Sequence, residues 1–415
     1  MRRSLKNTSR KFSADSQNLA SLAQSLAESS SRLERKHWET RLDLALQKML
    51  GAQQQAAIDS ALDHLFHTDP VAYDILLDSV ETISSSCSLT HDGKAFDGLL
   101  LAIPVIAWTR FVIPSGQISG DQLQTLFAQL HGHVLAKQVR AALAPALFSI
   151  DQLPRSYCDT YMLTRRMMEA AITGKSLQLP SQLPETAPFL ADTRYLLMAV
   201  AAESGQPLLY WEDQDAGVNS QLSRRHALSQ WQVQAGPNVQ LMMPGCGIEL
   251  LLPESYYVAC READKAVRPM SLRAAIHYLT HNLSLEASQL AVVIAAVGDK
   301  ANGMRVDEYR ISFCMAGNSD VYYGVVWPLY DEESADEDMP PEFVRRPGMP
   351  APLSPLQQIV SALREGGVTK IQNSDTVFSP EFCDDCGAPL FCDPTDDMVH
   401  AEMPEDTGQN TGHLH

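Results

Sequence analysis

The sequence predicts a mixed α/β (α+β) protein with a helical N-terminal layer, a two-part α/β body and a small C-terminal zinc-knuckle tail. Three observations carry that reading. Residues 16–84 hold apolar side chains at helical spacing with almost no glycine. Residues 89–330 alternate short apolar runs with amphipathic stretches, the pattern of strands crossed by helices. Residues 383–387 read Cys-Asp-Asp-Cys-Gly, the form of a metal knuckle.

Composition bounds the rest. A chain of 415 residues exceeds one ordinary domain, and 45% apolar content supports real cores. The net charge of −18 is concentrated at the end: residues 331–415 hold 18 of the 50 acids and 4 of the 32 lysines and arginines. An acidic tail opposes phosphate backbones and anionic lipid, so nucleic acid and membrane surfaces are poor expected partners; it suits a basic protein surface, although a solvating tail with no partner is the commoner case. The longest apolar run, residues 98–108, contains Pro104 and falls well short of the roughly 20 residues a membrane helix needs. Five basic residues precede the first acid, Asp15, but no apolar stretch follows them. A frayed basic terminus is therefore expected rather than a secretory or transit signal. The eight cysteines show no disulfide framework and fit a reducing compartment, so a cytoplasmic location is expected.

In order along the chain, residues 1–88 are expected to form the helical region, with Asp69 capping a helix that has Pro70 in its first turn. The turn His91-Asp92-Gly93 opens a first α/β unit, 89–176, with a strand at 99–108, a helix at 120–135, a strand at 143–150 and a helix at 156–173. Prolines mark a linker at 177–188. A second unit, 190–330, is expected to carry strands at 195–201, 208–211, 239–243 and 290–297, a helix at 271–279, and a hairpin pairing 309–316 with 321–327. The two units suggest a degenerate repeat aligning Ile103-Pro104 with Met243-Pro244 and Asp151 with Asp299, although generic α/β alternation would produce the same spacing. Residues 331–352 form an acidic, proline-rich linker. Residues 353–415 then supply a helix capped by Ser354 with Pro355 after it, a short strand at 368–371, and the knuckle.

Two residues between thiols let one turn aim both sulfurs at a single ion, so Cys383 and Cys386 are the candidate zinc ligands. Cys392 and His400 are the nearest residues able to complete the set, and a further ligand could come from the body or from another subunit. A redox pair is the competing reading, but it lacks the usual strand-to-helix setting. Elsewhere, Pro244-Gly245-Cys246-Gly247 reads as a tight turn with a buried thiol rather than a nucleophile site. His277 and His281 stand one helical turn apart without the glutamate of a metalloprotease motif, and His131 lies on the apolar stripe of its helix. No serine elbow, phosphate loop or kinase signature is present.

Several segments together resemble a beta-proteobacterial family known only as a domain of unknown function. They are Ala-Leu-Asp-His-Leu-Phe at 61–66, Ile-Ala-Trp-Thr-Arg at 106–110, Ile-Pro-Ser-Gly at 113–116, Ser-Ile-Asp-Gln-Leu-Pro-Arg at 149–155 and the Cys-x2-Cys-Gly tail. The resemblance implies a cytoplasmic bacterial protein and brings no activity with it. The leading expectation is a non-catalytic interaction or regulatory protein with a structural zinc, in which the tail is a separate docking module that can be deleted without unfolding the body. A homo-oligomer is left open. The alternative is an enzyme, a hydrolase or transferase, with a candidate pocket between the units at Trp108, Ser115 and Cys246.

Overall fold

The structure is a computed structural model describing residues 12–177, 184, 186, 189–212, 220–298, 306–330, 333 and 353–403, with the backbone alone for 220–223. Four helices open the chain: α1 (Ala14–Ala27), α2 (Arg32–Gly51), α3 (Gln55–Thr68) and α4 (Pro70–Ser85). Ser13, Ser31 and Asp69 cap α1, α2 and α4, each accepting an amide hydrogen that the helix itself leaves unpaired. Their apolar faces bury Leu19, Leu42, Leu50, Ile58, Leu65 and Leu76 in one cluster.

The chain continues through β1 (Ser86–His91), β2 (Lys94–Trp108), β3 (Gly116–Gln117), α5 (Gly120–His133), β4 (Arg140–Leu143), β5 (Ala146–Leu147) and α6 (Tyr157–Thr173). It then forms β6 (Ala191–Glu203), α7 (Ser220–Met242), β7 (Gly247–Leu250), β8 (Glu254–Ser255) and α8 (Tyr256–Asn282). The N-terminal helices dock on α6 through Cys158 and Tyr161.

The centre of the first sheet is the long antiparallel pair β2–β6, with β4 outside β6 and with β1, β8 and β7 sharing the outer edge of β2. Alternate β2 residues face opposite layers, as strand periodicity requires. Leu101, Ile103, Val105 and Ala107 pack under α5 and α7, whereas Phe96, Leu100, Ala102 and Ile106 pack under α6 and α8. Pro104 cannot donate to a ladder, and it falls in the break between β8 at 101–102 and β7 at 105–108.

The same order, strand–helix–strand–helix, runs twice: β2-α5-β4-α6 and β6-α7-β7-α8. The two runs are interleaved, because β4 pairs with the second run's β6 and β7 with the first run's β2. Their registers match: Val105–Trp108 pair with Leu250–Gly247 as Met198–Ala201 pair with Leu143–Arg140. Just beyond each pairing, Leu251 N donates to Pro104 O and Ala144 N to Leu197 O.

A second sheet follows, with β9 (Leu290–Val297), β10 (Glu308–Met315) and β11 (Val321–Pro328), then α9 (Pro355–Glu365), β12 (Lys370–Phe378), β13 (Phe391–Cys392) and β14 (Met398–Val399). Its order is β11-β10-β9-β12, antiparallel except for β12, which runs parallel to β9. Val292, Ile294, Ile311 and Phe313 face α8 and α9 on one side. Val293, Ala295 and Cys314 face the β13–β14 ribbon on the other. Helix α8 belongs to both sheets, with Tyr256–Ala263 under the first and Leu272–Leu279 under the second.

Mixed α and β architecture with leading helices matches the expected fold class. Several elements differ. Residues 239–242 end α7 instead of forming a strand, so the repeat aligning Met243-Pro244 with Ile103-Pro104 does not hold; the equivalence runs between the interleaved halves. Residues 208–211 contribute a single bridge, Leu135–Leu209, and a short 3-10 turn. The run 143–150 is interrupted at Ala144-Pro145. The units at 89–176 and 190–330 do not coincide with the sheets, because β6 pairs with β2 along its whole length. Nor do residues 353–403 form a detached module: β12 is nine residues long and an integral strand, while Ile359 and Leu363 of α9 are buried in the second core. A short apolar stripe shows that a surface is needed but not which one. The acidic linker lies outside the described residues, apart from Glu333.

Candidate metal centre

β12 delivers the chain to the open face of the second sheet, where residues 381–390 fold back as a tight hairpin. Leu390 N donates to Glu381 O, Cys383 N to Ala388 O, and Gly387 N to Cys383 O. Gly387 has a positive φ of 77°, the left-handed turn conformation that favours glycine. The backbone amides of Cys386 and then Asp385, turned toward the Cys383 sulfur, lower its thiol from the ordinary cysteine value. This arrangement prepares a thiolate for a metal.

His400 arrives by a second hairpin, β13–β14. Its turn is knotted by Asp393, whose Oδ1 accepts from the amides of Thr395 and Asp397, with Asp396 in the left-handed region. One step past β14, His400 Nε2 lies 3.2 Å from Cys386 Sγ. The ligand atoms of Cys383, Cys386 and His400 all fall within 4.8 Å of one another. A tetrahedral zinc with bonds of about 2.0–2.3 Å places its ligands roughly 3.5–3.8 Å apart, so the three fit one ion. His400 Nδ1 stands 3.1 Å from Glu402 Oε1, at ion-pair distance though not aligned as a hydrogen bond. A carboxylate there favours the tautomer that leaves Nε2 free to bind a metal.

Arg310 on β10 anchors the assembly. Fully buried, it donates through Nη1 to Glu381 O (2.6 Å) and Leu390 O (2.7 Å), the two carbonyls at the base of the knuckle. Its Nε reaches Glu308 Oε1 at 2.8 Å, and Phe382 lies over the guanidinium. Beside it, the Phe391 ring rests on Gly324, where any Cβ would overlap the ring. Neither residue announces itself in the sequence, because a strand arginine and a strand glycine have many other uses.

Of the four expected ligands, the structure brings together Cys383, Cys386 and His400 but not Cys392. Cys392 points into the core beside Val293 and Ala295. Burial, followed by Asp396, pushes its thiol up to about 12.

Of the candidate pocket residues, Cys246 lies near the buried Arg194, which also bonds the backbone just before Ser115, whereas Trp108 stands over Gly247. Trp108 pairs with Gly247 and its indole fills the space above that glycine. Thr109 Oγ1 donates to Gly245 O, so the strand end and the glycine turn do meet. Arg194 donates to the carbonyls of Ile113 and Pro114 next to Ser115, and its charge reaches Cys246. Burial nevertheless raises the Cys246 thiol, and the groups acting on it, Arg194 and Thr109, are not general bases. His277 and His281 are exposed, with ring centroids 6.4 Å apart. His131 is half-buried against Phe127, and burial lowers its pKa.

A family model described as a protein of unknown function, DUF2863, matches residues 4–414. The chain belongs to that family. No curated protein and no solved structure matches it. Across the DUF2863 chain's described residues, no helix is long and apolar enough to cross a membrane.

Proposed function

We propose that this protein is a non-catalytic interaction or regulatory protein whose C-terminal segment holds a zinc ion through Cys383, Cys386 and His400. The convergence of these three ligand atoms, from two separate hairpins, carries the proposal. Paired thiolates with one imidazole suit zinc above magnesium or calcium, which prefer oxygen ligands. The ion would tie the 383–386 turn to the strand leading into His400, reinforcing what Arg310 already holds. Eight free cysteines support a reducing, cytoplasmic setting. The acidic end of the chain suits a basic protein surface as partner.

The test is metal analysis by native mass spectrometry on the full chain. One zinc per chain is expected, lost in Cys383→Ser and in His400→Ala and retained in Cys392→Ala. Full zinc in Cys383→Ser would refute the assignment.

A further inference from the structure

Charge is nearly absent from one outer layer of this protein. Residues 111–136, which include α5, contain a single aspartate, glutamate, lysine or arginine, Asp121, and residues 227–248, which include most of α7, contain none. The chain as a whole is 20% charged, and α2 carries eight such residues in its 20. Helices α5 and α7 lie side by side over the first sheet, where Gln129 Nε2 donates to Gln234 O and Asn238 Nδ2 to Gln122 O, so these amides are taken up by the seam.

The outward side is apolar. Among the described large apolar residues, five are at least 70% exposed, and four of them lie here: Phe111, Val112, Val233 and Leu241. The fifth is Leu33 on α2. Val233, the exposed Pro237 and Leu241 follow one another at intervals of about one turn along a single face of α7. The Thr109 hydroxyl accepts from Phe111 N and donates to Gly245 O, which holds the 111–112 turn at the end of α7 that carries Leu241.

A contiguous apolar surface of this kind marks a contact site, and the charge pattern indicates what covers it. In a two-fold contact the surface meets its own copy, so a charged group near the axis faces its like; a face cleared of charge avoids that repulsion. A partner of different sequence imposes no such restriction. The charges bounding residues 111–120, Arg110 and Asp121, have opposite signs, which suits a self-complementary rim. The second sheet, which carries the acidic end of the chain, is joined through α8 to the opposite face of the first sheet. Contact through α5 and α7 therefore leaves the acidic ends of two copies apart. Helices about 20 and 35 Å long and roughly 10 Å wide present on the order of 500 Å² in projection, before side-chain relief and the 111–112 turn, towards the roughly 800 Å² per partner of a stable contact.

We propose that the α5–α7 face is an isologous contact through which two copies of this chain associate. It is independent of the metal centre, which stands on the second sheet. Sedimentation velocity on the full chain at tens of micromolar tests it. The expected mass is twice 45.7 kDa, unchanged by EDTA and by salt of about 1 M, since an uncharged contact is not screened. Val233→Glu/Leu241→Glu sets like charges against one another and should weaken association by about a hundred-fold or more, while Leu33→Glu leaves it unchanged. Near-ultraviolet circular dichroism checks that the variants fold; should the glutamate pair disturb folding, Phe111→Ser/Val112→Ser gives the same reading. A dimer that survives these substitutions overturns the proposal, as does association lost in EDTA, which would belong to the zinc site. A monomeric wild type also overturns it, and leaves the face to a different protein or, if it binds neutral phosphatidylcholine vesicles, to lipid.

Discussion

Arg310→Met tests whether the knuckle is built on the second sheet. The substitution keeps the aliphatic stem and removes the guanidinium, which is fully buried and donates to Glu308, Glu381 O and Leu390 O. A charged donor's hydrogen bond contributes about 1.5–3 kcal/mol, and removing one member of a buried pair costs about 3–5 kcal/mol in total. The side chain of Glu308 remains only 24% exposed, so part of that cost is a carboxylate left without its partner. We expect a loss of about 3–4 kcal/mol in urea unfolding of the metal-free protein, within the range for a broken buried pair. Zinc affinity should fall as well, because the ion then has to order the hairpin it binds. If about half of the loss falls on the knuckle, zinc binds roughly ten-fold more weakly, at 1.4 kcal/mol per decade. Glu308→Gln keeps an acceptor for Nε but leaves the buried Arg310 charge without its counter-ion, so it should also cost about 3 kcal/mol, while the two carbonyl hydrogen bonds hold zinc binding within about two-fold. Wild-type stability and affinity in Arg310→Met would refute the view that this residue seats the knuckle.

Four further outcomes follow from the packing. Gly324→Ala drives a Cβ into the Phe391 ring, and a loss of about 1–3 kcal/mol with weakened zinc binding is expected in the same two assays. Gly98→Ala meets both Met168 and the Val200 carbonyl, so a similar loss is expected there, without any change in zinc affinity, because the site lies in the other sheet. A chain ending at residue 352 lacks β12 and α9; it should lose cooperative unfolding of the second sheet while the first sheet persists, as proteolysis would show. Finally, burial raises the carboxyl of Asp264 to about 6, against the lowering effects of the Tyr330 hydroxyl and Arg268. The folded protein therefore binds this proton more tightly than the unfolded chain does. Stability is lost as pH rises from the unfolded value near 4 through the folded value near 6. Asp264→Asn should be more stable than wild type at pH 7–8 by about 1–2 kcal/mol, after allowing for partial exposure, with the advantage gone near pH 4.

Much of the fold could be read locally. Helix α4 follows from Asp69 and Pro70, α9 from Ser354 and Pro355, and the β10–β11 hairpin from two apolar runs around Gly317. These signals act within a few residues and survive in any tertiary setting. The misread segments are apolar runs without such punctuation. Residues 239–242 could have served as a strand, and only packing against α5 and the first sheet makes them the end of α7. Interleaving was equally hidden, since strand pairing between β4 and β6, or β7 and β2, joins residues far apart in the chain.

The knuckle divides along the same line. Spacing alone marked Cys383 and Cys386, because a two-residue turn is a local object. Sequence distance offered Cys392 and His400 alike as further ligands; in the fold Cys392 is buried against Val293 and Ala295, and the β13–β14 turn brings His400 back to the sulfurs. The sequence by itself therefore determined capped helices such as α4 and α9, the β10–β11 hairpin and the Cys383–Cys386 pair, wherever the deciding interactions span a few residues. Tertiary structure alone decided which strands are neighbours, that the C-terminal segment belongs to the second sheet, and that His400 rather than Cys392 joins Cys383 and Cys386. Those outcomes depend on burial and on the direction of a side chain, which no local pattern contains.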